Sequence, residues 1–485
     1  MMQAFWGGPG VASLERLKRE AVEVDVSFMY HFEKRPAYGR DGSIGYFEAA
    51  SMRPMGIWIV ATGMIVLPSG DKRAWKAAKL AFRSNVGQAL AGTEHIAFLH
   101  METSQAVCNA VHQTLRLQEG GTPHQLRLFL KPFLLGTFSV NNAAHQLLIR
   151  ENSVLTKASG LAFEGGLSRL FAHAHRHFRW IKHPDFLAHK GLNGTAFENI
   201  TSRIPMYKDG LRLWGIHLEY VKSSIETMYP TEEDLQGDDD ALRFWHHVNT
   251  DGRHTDPCVC SMGWSAFSRK DRWPGFENTA RCDKLLLFVG SNEPQANLAR
   301  QSWCQKQPAE RLSDLRRWQE TRCQKEPSCD KGLRYPEEYL RLDYELPLLS
   351  RETLSSFLTS FIFAVTAKHE FASDNIPYKV DPNFEGVRLP PAVNGELPTK
   401  AGLGAYILGM SVSVLTTLRS SPLLNDWSHL FADNKHADRL VQLHHDYKYK
   451  LLQLGSQQFQ EFDAVPQNFR SHTFNPATHG SSIAV

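Results

Sequence analysis

With 485 residues, 42% of them hydrophobic and 22% charged, the chain can bury a large core and has the composition of a globular enzyme. Its formal net charge of +3 comes from scattered basic residues, not a patch or tail, so no nucleic-acid partner is expected. The most apolar run, residues 56–67, is well short of the roughly 20 residues that span a bilayer, and no basic segment leads into an apolar one at the start. No transmembrane segment is expected, and the default location is cytoplasmic.

The first 75 residues or so are mixed and glycine-rich and read as short elements, with 56–67 as a buried strand or core helix stopped by Pro68-Ser69-Gly70-Asp71. Over residues 74–112 apolar positions recur at helical spacing, which predicts one long helix or two stacked ones. Further helices are predicted over 123–149 and 211–228, the latter with Lys222 and Glu226 off its apolar face. The run His173-Ala174-His175-Arg176-His177 looks metal-like, but alternate spacing turns successive rings apart, and it reads as a solvated helix face. Residues 251–336 mix polar residues, Trp, Cys and Pro without a period, predicting an inserted, loop-rich subdomain. Six of the seven cysteines (Cys258, Cys260, Cys282, Cys304, Cys323, Cys329) fall there. Disulfides, a zinc site and free thiols stand nearly level, and disulfides would place the protein outside the cell. Helical periodicity resumes from Glu352 to His369, capped by Ser350 or Ser355, and again after Gly404. The organisation is a first part over 1–250, the insertion over 251–336 and a second part over 337–485, with a mainly α fold.

His95 and His100 lie five residues apart in the first predicted helix. With 22 histidines in 485 residues, about one such pair arises by chance, so the spacing alone is weak evidence. Five residues on an ideal α-helix turn about 500°, leaving the rings about 140° apart. Both face one metal only if the helix widens locally, as a π-bulge does. His369 follows the apolar run 361–366, and Ser373, four residues on, shares its helix face. Three neutral imidazoles suit iron, zinc or copper without choosing among them. Taken singly, each histidine reads as a hydrogen-bonded core residue.

Order and context add to this. Trp75, Ala78-Lys79 and Arg83-Ser84 lead without a gap to His95 and His100, and Pro123-His124 follows. Next come Ser139-Val140-Asn141-Asn142-Ala143-Ala144-His145-Gln146-Leu147-Leu148-Ile149, Met206-Tyr207-Lys208-Asp209-Gly210-Leu211-Arg212-Leu213-Trp214, and Thr231-Glu232-Glu233-Asp234. Leu354, Thr359 and Thr366-Ala367-Lys368-His369 precede the tail Ser481-Ser482-Ile483-Ala484-Val485. In this order the stretches resemble the lipoxygenases, over roughly residues 57–250 and 345–485. The resemblance implies a multi-helix catalytic domain around a long metal-binding helix. It implies non-heme iron, with manganese as the alternative, held by His95, His100, His369 and the α-carboxylate of Val485. Ser373 stands where many members carry Asn or His as a weak further ligand. Leu90 replaces a histidine that is not a ligand. The family's N-terminal β-barrel, which helps membrane docking, has no counterpart here, and the cysteine-rich insertion has none in the family; peripheral membrane contact stays open.

The implied reaction adds O2 to a polyunsaturated fatty acid carrying a cis,cis-1,4-pentadiene, giving a hydroperoxide. Ala144 falls where the family has Ala in enzymes forming S products and Gly in those forming R products, so an S product is expected. Leu148 resembles the leucine that presses on the pentadiene, and Ala158 and Ser159 are small where other members use bulk to shorten the pocket. For Ala144, Leu148 and the Ala158-Ser159 pair, core packing is an equally good account. Two alternatives use the same scaffold: a hydroperoxide isomerase and a catalytically silent lipid-binding protein.

Overall fold

A computed structural model of the chain describes residues 21–35, 42–48, 51, 53–115, 122–144, 160–177, 180–185, 205–250, 348–374, 421–463, 475–477 and 479–483. The cysteine-rich insertion of residues 251–336 lies outside them.

Strands β1 (Ala21–Asp25), β2 (Ser43–Glu48), β3 (Pro54–Ile59) and β4 (Met64–Val66) form an antiparallel sheet in sequential order. The apolar run 56–67 is therefore two strands, not one element. The short turn Val60–Thr62 and Gly63, at φ +63°, reverse the chain between them. One sheet face packs Ile57, with Phe47 and Ile59, against Ala78 and Phe82 of the first helix. The approach is close enough that a Cβ on Gly45 would come within 2.6 Å of the Phe82 ring.

That helix begins at Asp71, whose side chain accepts from the Ala74 amide at 2.7 Å and caps α1 (Lys72–Ala89). It continues through a wide-turn segment, Leu90–Gln105, into α2 (Ala106–Thr114), so of the two expectations, one long helix or two stacked ones, the first holds, as one rod. The helix predicted over 123–149 is broken instead. It divides into α3 (Gln125–Leu134) and α4 (Thr137–Ala144) at Gly136, which adopts φ +74°. A wide turn, Phe163–Ser168, leads into α5 (Arg169–His177). His173 on α5 stacks on Phe28 with ring centroids 4.7 Å apart and meets the edge of Phe32, so at this position the solvated-face expectation gives way to aromatic packing.

Helix α6 (Pro205–Met228) starts six residues earlier than predicted; α7 (Glu232–Gln236) and α8 (Asp239–Thr250) follow it. Ser350, not Ser355, caps α9 (Arg351–Phe363), through a reciprocal box with Thr353, while Ser355 is buried inside the helix. A wide turn, Ala364–Lys368, joins α9 to α10 (His369–Asp374), and α11 (Ala437–Asp463) is the last helix described. Among the described residues no helix is long and apolar enough to cross a membrane.

Helix α6 packs between α9 and α11. Their meeting faces, with Leu213, Val221, Ile225, Leu358, Phe361 and Leu451 fully buried, make the main core. Each such side chain contributes about 1.5–3 kcal/mol by leaving water. A second core lies between the sheet, the long rod and α5, with Met29, Ala97, Leu170 and Phe171 at its centre. The wide-turn segment runs along this second core, and its continuation α2 enters the first.

Candidate metal centre

The wide-turn segment starts where the sequence weakens the α register. A Cβ on Gly92 would lie 2.6 Å from Leu170 Cδ2, so glycine lets α5 come this close without the Leu170 side chain shifting. The Thr93 hydroxyl donates to the Ala89 carbonyl at 2.5 Å and competes for an acceptor that the α-helix would use. Hydrogen bonds then run from each residue to the fifth before it, and the wider turn brings residues five apart to the same side of the helix. That is the spacing of His95 and His100. The widening anticipated from the spacing is present, over sixteen residues. The same device precedes His369, where Thr366 donates to the Ile362 carbonyl at 2.6 Å within the wide turn Ala364–Lys368.

Both wide turns aim their histidines at one point. Nε2 of His95 lies 3.3 Å from that of His100 and 3.2 Å from that of His369, and the third edge is also 3.2 Å. All three residues are buried, His369 completely. A 3.2 Å edge divided by √3 puts each nitrogen about 1.9 Å from the centre of the triangle, a ring that suits metal–imidazole bonds of about 2.0–2.1 Å. Three ring nitrogens in this arrangement cannot satisfy one another, because a proton on one serves a single neighbour and leaves lone pairs facing each other.

Asn141 on α4 fixes the tautomer of His100. Its Nδ2 donates to the His100 carbonyl at 3.1 Å and to Gln105 Oε1 at 2.8 Å, which turns Oδ1 toward His100 Nδ1 at 2.9 Å. Nδ1 therefore carries the proton and Nε2 presents its lone pair inward. Burial lowers the His100 pKa to about 4 against the opposing pull of the Asn141 bond. Burial, and then the proximity of His100, hold His369 well below its ordinary value. Neutral imidazoles with inward lone pairs are the form that binds a metal. Among the described residues this is the one histidine, cysteine and carboxylate cluster that could hold such an ion.

Other expected site residues are placed unevenly. Ser373 lies on α10, one turn beyond His369, and its side chain is outside the described residues. Ala144 is half-buried at the end of α4, one turn from Asn141 on the helix that flanks the wide-turn segment. Leu148, Ala158, Ser159 and Val485 lie outside the described residues. The tail leading to Val485 is buried: Ser481, Ser482 and Ile483 are at most 1% exposed, and Ile483 belongs to the main core. The Ser482 hydroxyl donates to the Leu135 carbonyl at 2.6 Å. Sequence reasoning missed Asn141 as the partner of His100; its one signal was an amide side chain in a stretch otherwise short of charge.

No family profile matches the chain. A segment of 184 residues is 25% identical to the polyunsaturated fatty acid lipoxygenase ALOX8 of Mus musculus. A segment of the same length is 27% identical to the polyunsaturated fatty acid lipoxygenase ALOX15B of Homo sapiens; each match covers 37% of this chain and 25% of the relative. In fold, the chain is similar to a coral 8R-lipoxygenase, with TM-score 0.66 and 15% identity over 96% of this chain and 59% of that one. It is equally similar to a LOX solved anaerobically in complex with arachidonate, with TM-score 0.66 and 15% identity over 100% of this chain and 62% of that one. The chain thus spans less than two thirds of these structures.

Proposed function

Sequence and fold relate this chain to the lipoxygenases, and from that premise we propose that it is an iron dioxygenase that adds O2 to a polyunsaturated fatty acid. The observation that carries the proposal is the triangle of Nε2 atoms from His95, His100 and His369. The ion they would hold supplies a one-electron acceptor for cleavage of the bis-allylic C–H bond. The chain's own residues do the rest. Three neutral imidazoles hold the ion without neutralising its charge, and Asn141 keeps the His100 ring aimed. The α-carboxylate of Val485 is the proposed fourth ligand. The buried approach of residues 481–483 supports it, because a charged terminus carried into a core is unfavourable without an opposite charge.

The substrate class rests on the relationship, including the arachidonate complex of the similar LOX. An S configuration of the product rests on Ala144. Metal analysis of the purified chain, with absorbance of the conjugated diene after linoleate or arachidonate is added, tests the proposal. One iron per chain and a rising diene signal are expected; metal-free protein that gives no diene after iron is supplied refutes it. One residue added after Val485 would move the carboxylate by up to about 3.6 Å and is expected to abolish both signals.

A further inference from the structure

Both sequence neighbours of His369 are charged, and each contacts a different segment that carries a proposed ligand. Lys368 Nζ donates to Glu94 Oε2 at 3.0 Å, and Glu94 immediately precedes His95. Glu370 Oε1 accepts from the Gly480 amide at 3.0 Å, at the start of the buried tail. The tail lies antiparallel to residues 421–423: Leu423 N donates to the His479 carbonyl at 2.9 Å and Ser481 N to the Ser421 carbonyl at 2.7 Å. In that ladder Gly480 is the residue whose amide points the other way, toward α10. A buried amide needs an acceptor, and Glu370 supplies it.

The surrounding core is apolar, and apolar contact sets proximity without direction. A metal triangle needs its nitrogens placed within tenths of an ångström. Charge-assisted hydrogen bonds supply direction and are roughly twice as strong as neutral ones. The Lys368 and Glu94 side chains are 34% and 23% exposed, which shields their pair from solvent more than an open surface pair. We infer that Lys368 and Glu370 are positioning residues. Lys368 ties the His369 segment to the one bearing His95 and His100, and Glu370 ties it to the tail that leads to Val485. The inference rests on the metal-centre proposal above.

The test titrates Co2+ alone into the metal-depleted full-length chain and reads affinity and the visible cobalt spectrum. Glu370→Ala and Lys368→Glu are each expected to weaken binding by about 10- to 100-fold, as loss of a second layer of support around a metal does. Glu370→Gln keeps an acceptor for Gly480 without the charge and should bind between the parent chain and Glu370→Ala. The exchanged pair Glu94→Lys with Lys368→Glu should recover most of what Lys368→Glu alone loses, which a merely space-filling role would not produce. Undiminished affinity in both single variants overturns the inference, as does an exchanged pair no tighter than Lys368→Glu alone. If a single variant does not fold, the exchanged pair decides, and weak binding there overturns the inference. A parent chain that binds no cobalt overturns the metal-centre proposal itself.

Discussion

Two groups of buried histidines differ in what their ring nitrogens meet. In one, His95, His100 and His369 point three nitrogens at a common centre. In the other, His217 and His444 each spend both nitrogens on separate partners. The Thr366 hydroxyl gives its proton to Ile362, so it accepts from His217 Nε2 at 3.5 Å, while Tyr447 OH donates to His217 Nδ1 at 2.9 Å. His444 Nε2 accepts from the Trp427 amide at 3.0 Å, and its Nδ1 faces Tyr220 OH at 3.4 Å. Burial lowers the pKa in both groups, to about 3 for His217, where the nearby His479 adds to it, and to about 4 for His100 and His444. Burial and neutrality therefore do not mark a ligand; convergence does.

The strongest way to break that contrast is to remove one member from each group. His369→Ala is expected to take metal content from one ion per chain to nearly none. His444→Leu should keep the ion and lose about 1 kcal/mol of stability, because the half-buried Trp427 amide is left without its acceptor. Metal analysis beside thermal unfolding decides the matter, and equal metal loss in both variants would erase the distinction.

Asn141→Leu sharpens the contrast from within the first group. It frees the His100 tautomer while leaving all three rings in place, so metal affinity should fall by about 10- to 100-fold with the fold intact. Chelator competition measures it, and unchanged affinity would show that the ring needs no aiming.

His124 extends the second group. Its Nδ1 accepts from the Leu126 amide at 3.2 Å and its Nε2 donates to Asp238 at 3.0 Å. Burial alone would raise the pKa of Asp238, but hydrogen bonds from His124, the Ala241 amide and Tyr229 outweigh it and hold the carboxyl at about 2. Because the folded value is depressed from 3.8, the stabilisation is present above about pH 4 and is lost as pH falls toward 2. It amounts to about 2 kcal/mol at neutral pH. Asp238→Asn should be less stable by that amount at pH 7, with the gap closing between pH 4 and 2 in denaturant titrations. A gap independent of pH would remove the carboxylate from the account.

The mildest change is Ala144→Gly, which should leave metal content untouched and move oxygenation toward an R hydroperoxide at a neighbouring carbon. Chiral chromatography of the products reads it, and an unchanged product separates Ala144 from the path of O2.

Much of this was legible in the residues. Period alone predicted one long helix or two stacked ones over 74–112, and the three histidines followed from the order of the stretches around them. The five-residue spacing even required the widened turn, since an α register could not bring both rings to one side. The break at Gly136 was not legible, because a glycine within an apolar period is compatible with a continuing helix until its φ is known. Asn141, Lys368 and Glu370 were not legible as partners either. Their roles depend on segments 41, 274 and 110 residues away, and no local pattern encodes which distant group a polar side chain will meet.

His95 and His100 are five residues apart, but His369 is 274 residues from His95. An ion held by the three would thus be a cross-link, closing a long loop whose closure costs entropy that grows only slowly with length. Occupancy at a free concentration 1,000 times the dissociation constant adds about 4 kcal/mol to the folded state, a large share of the 5–15 kcal/mol by which proteins commonly stay folded. On the proposed centre, metal supply would then govern how long the molecule survives as well as whether it acts.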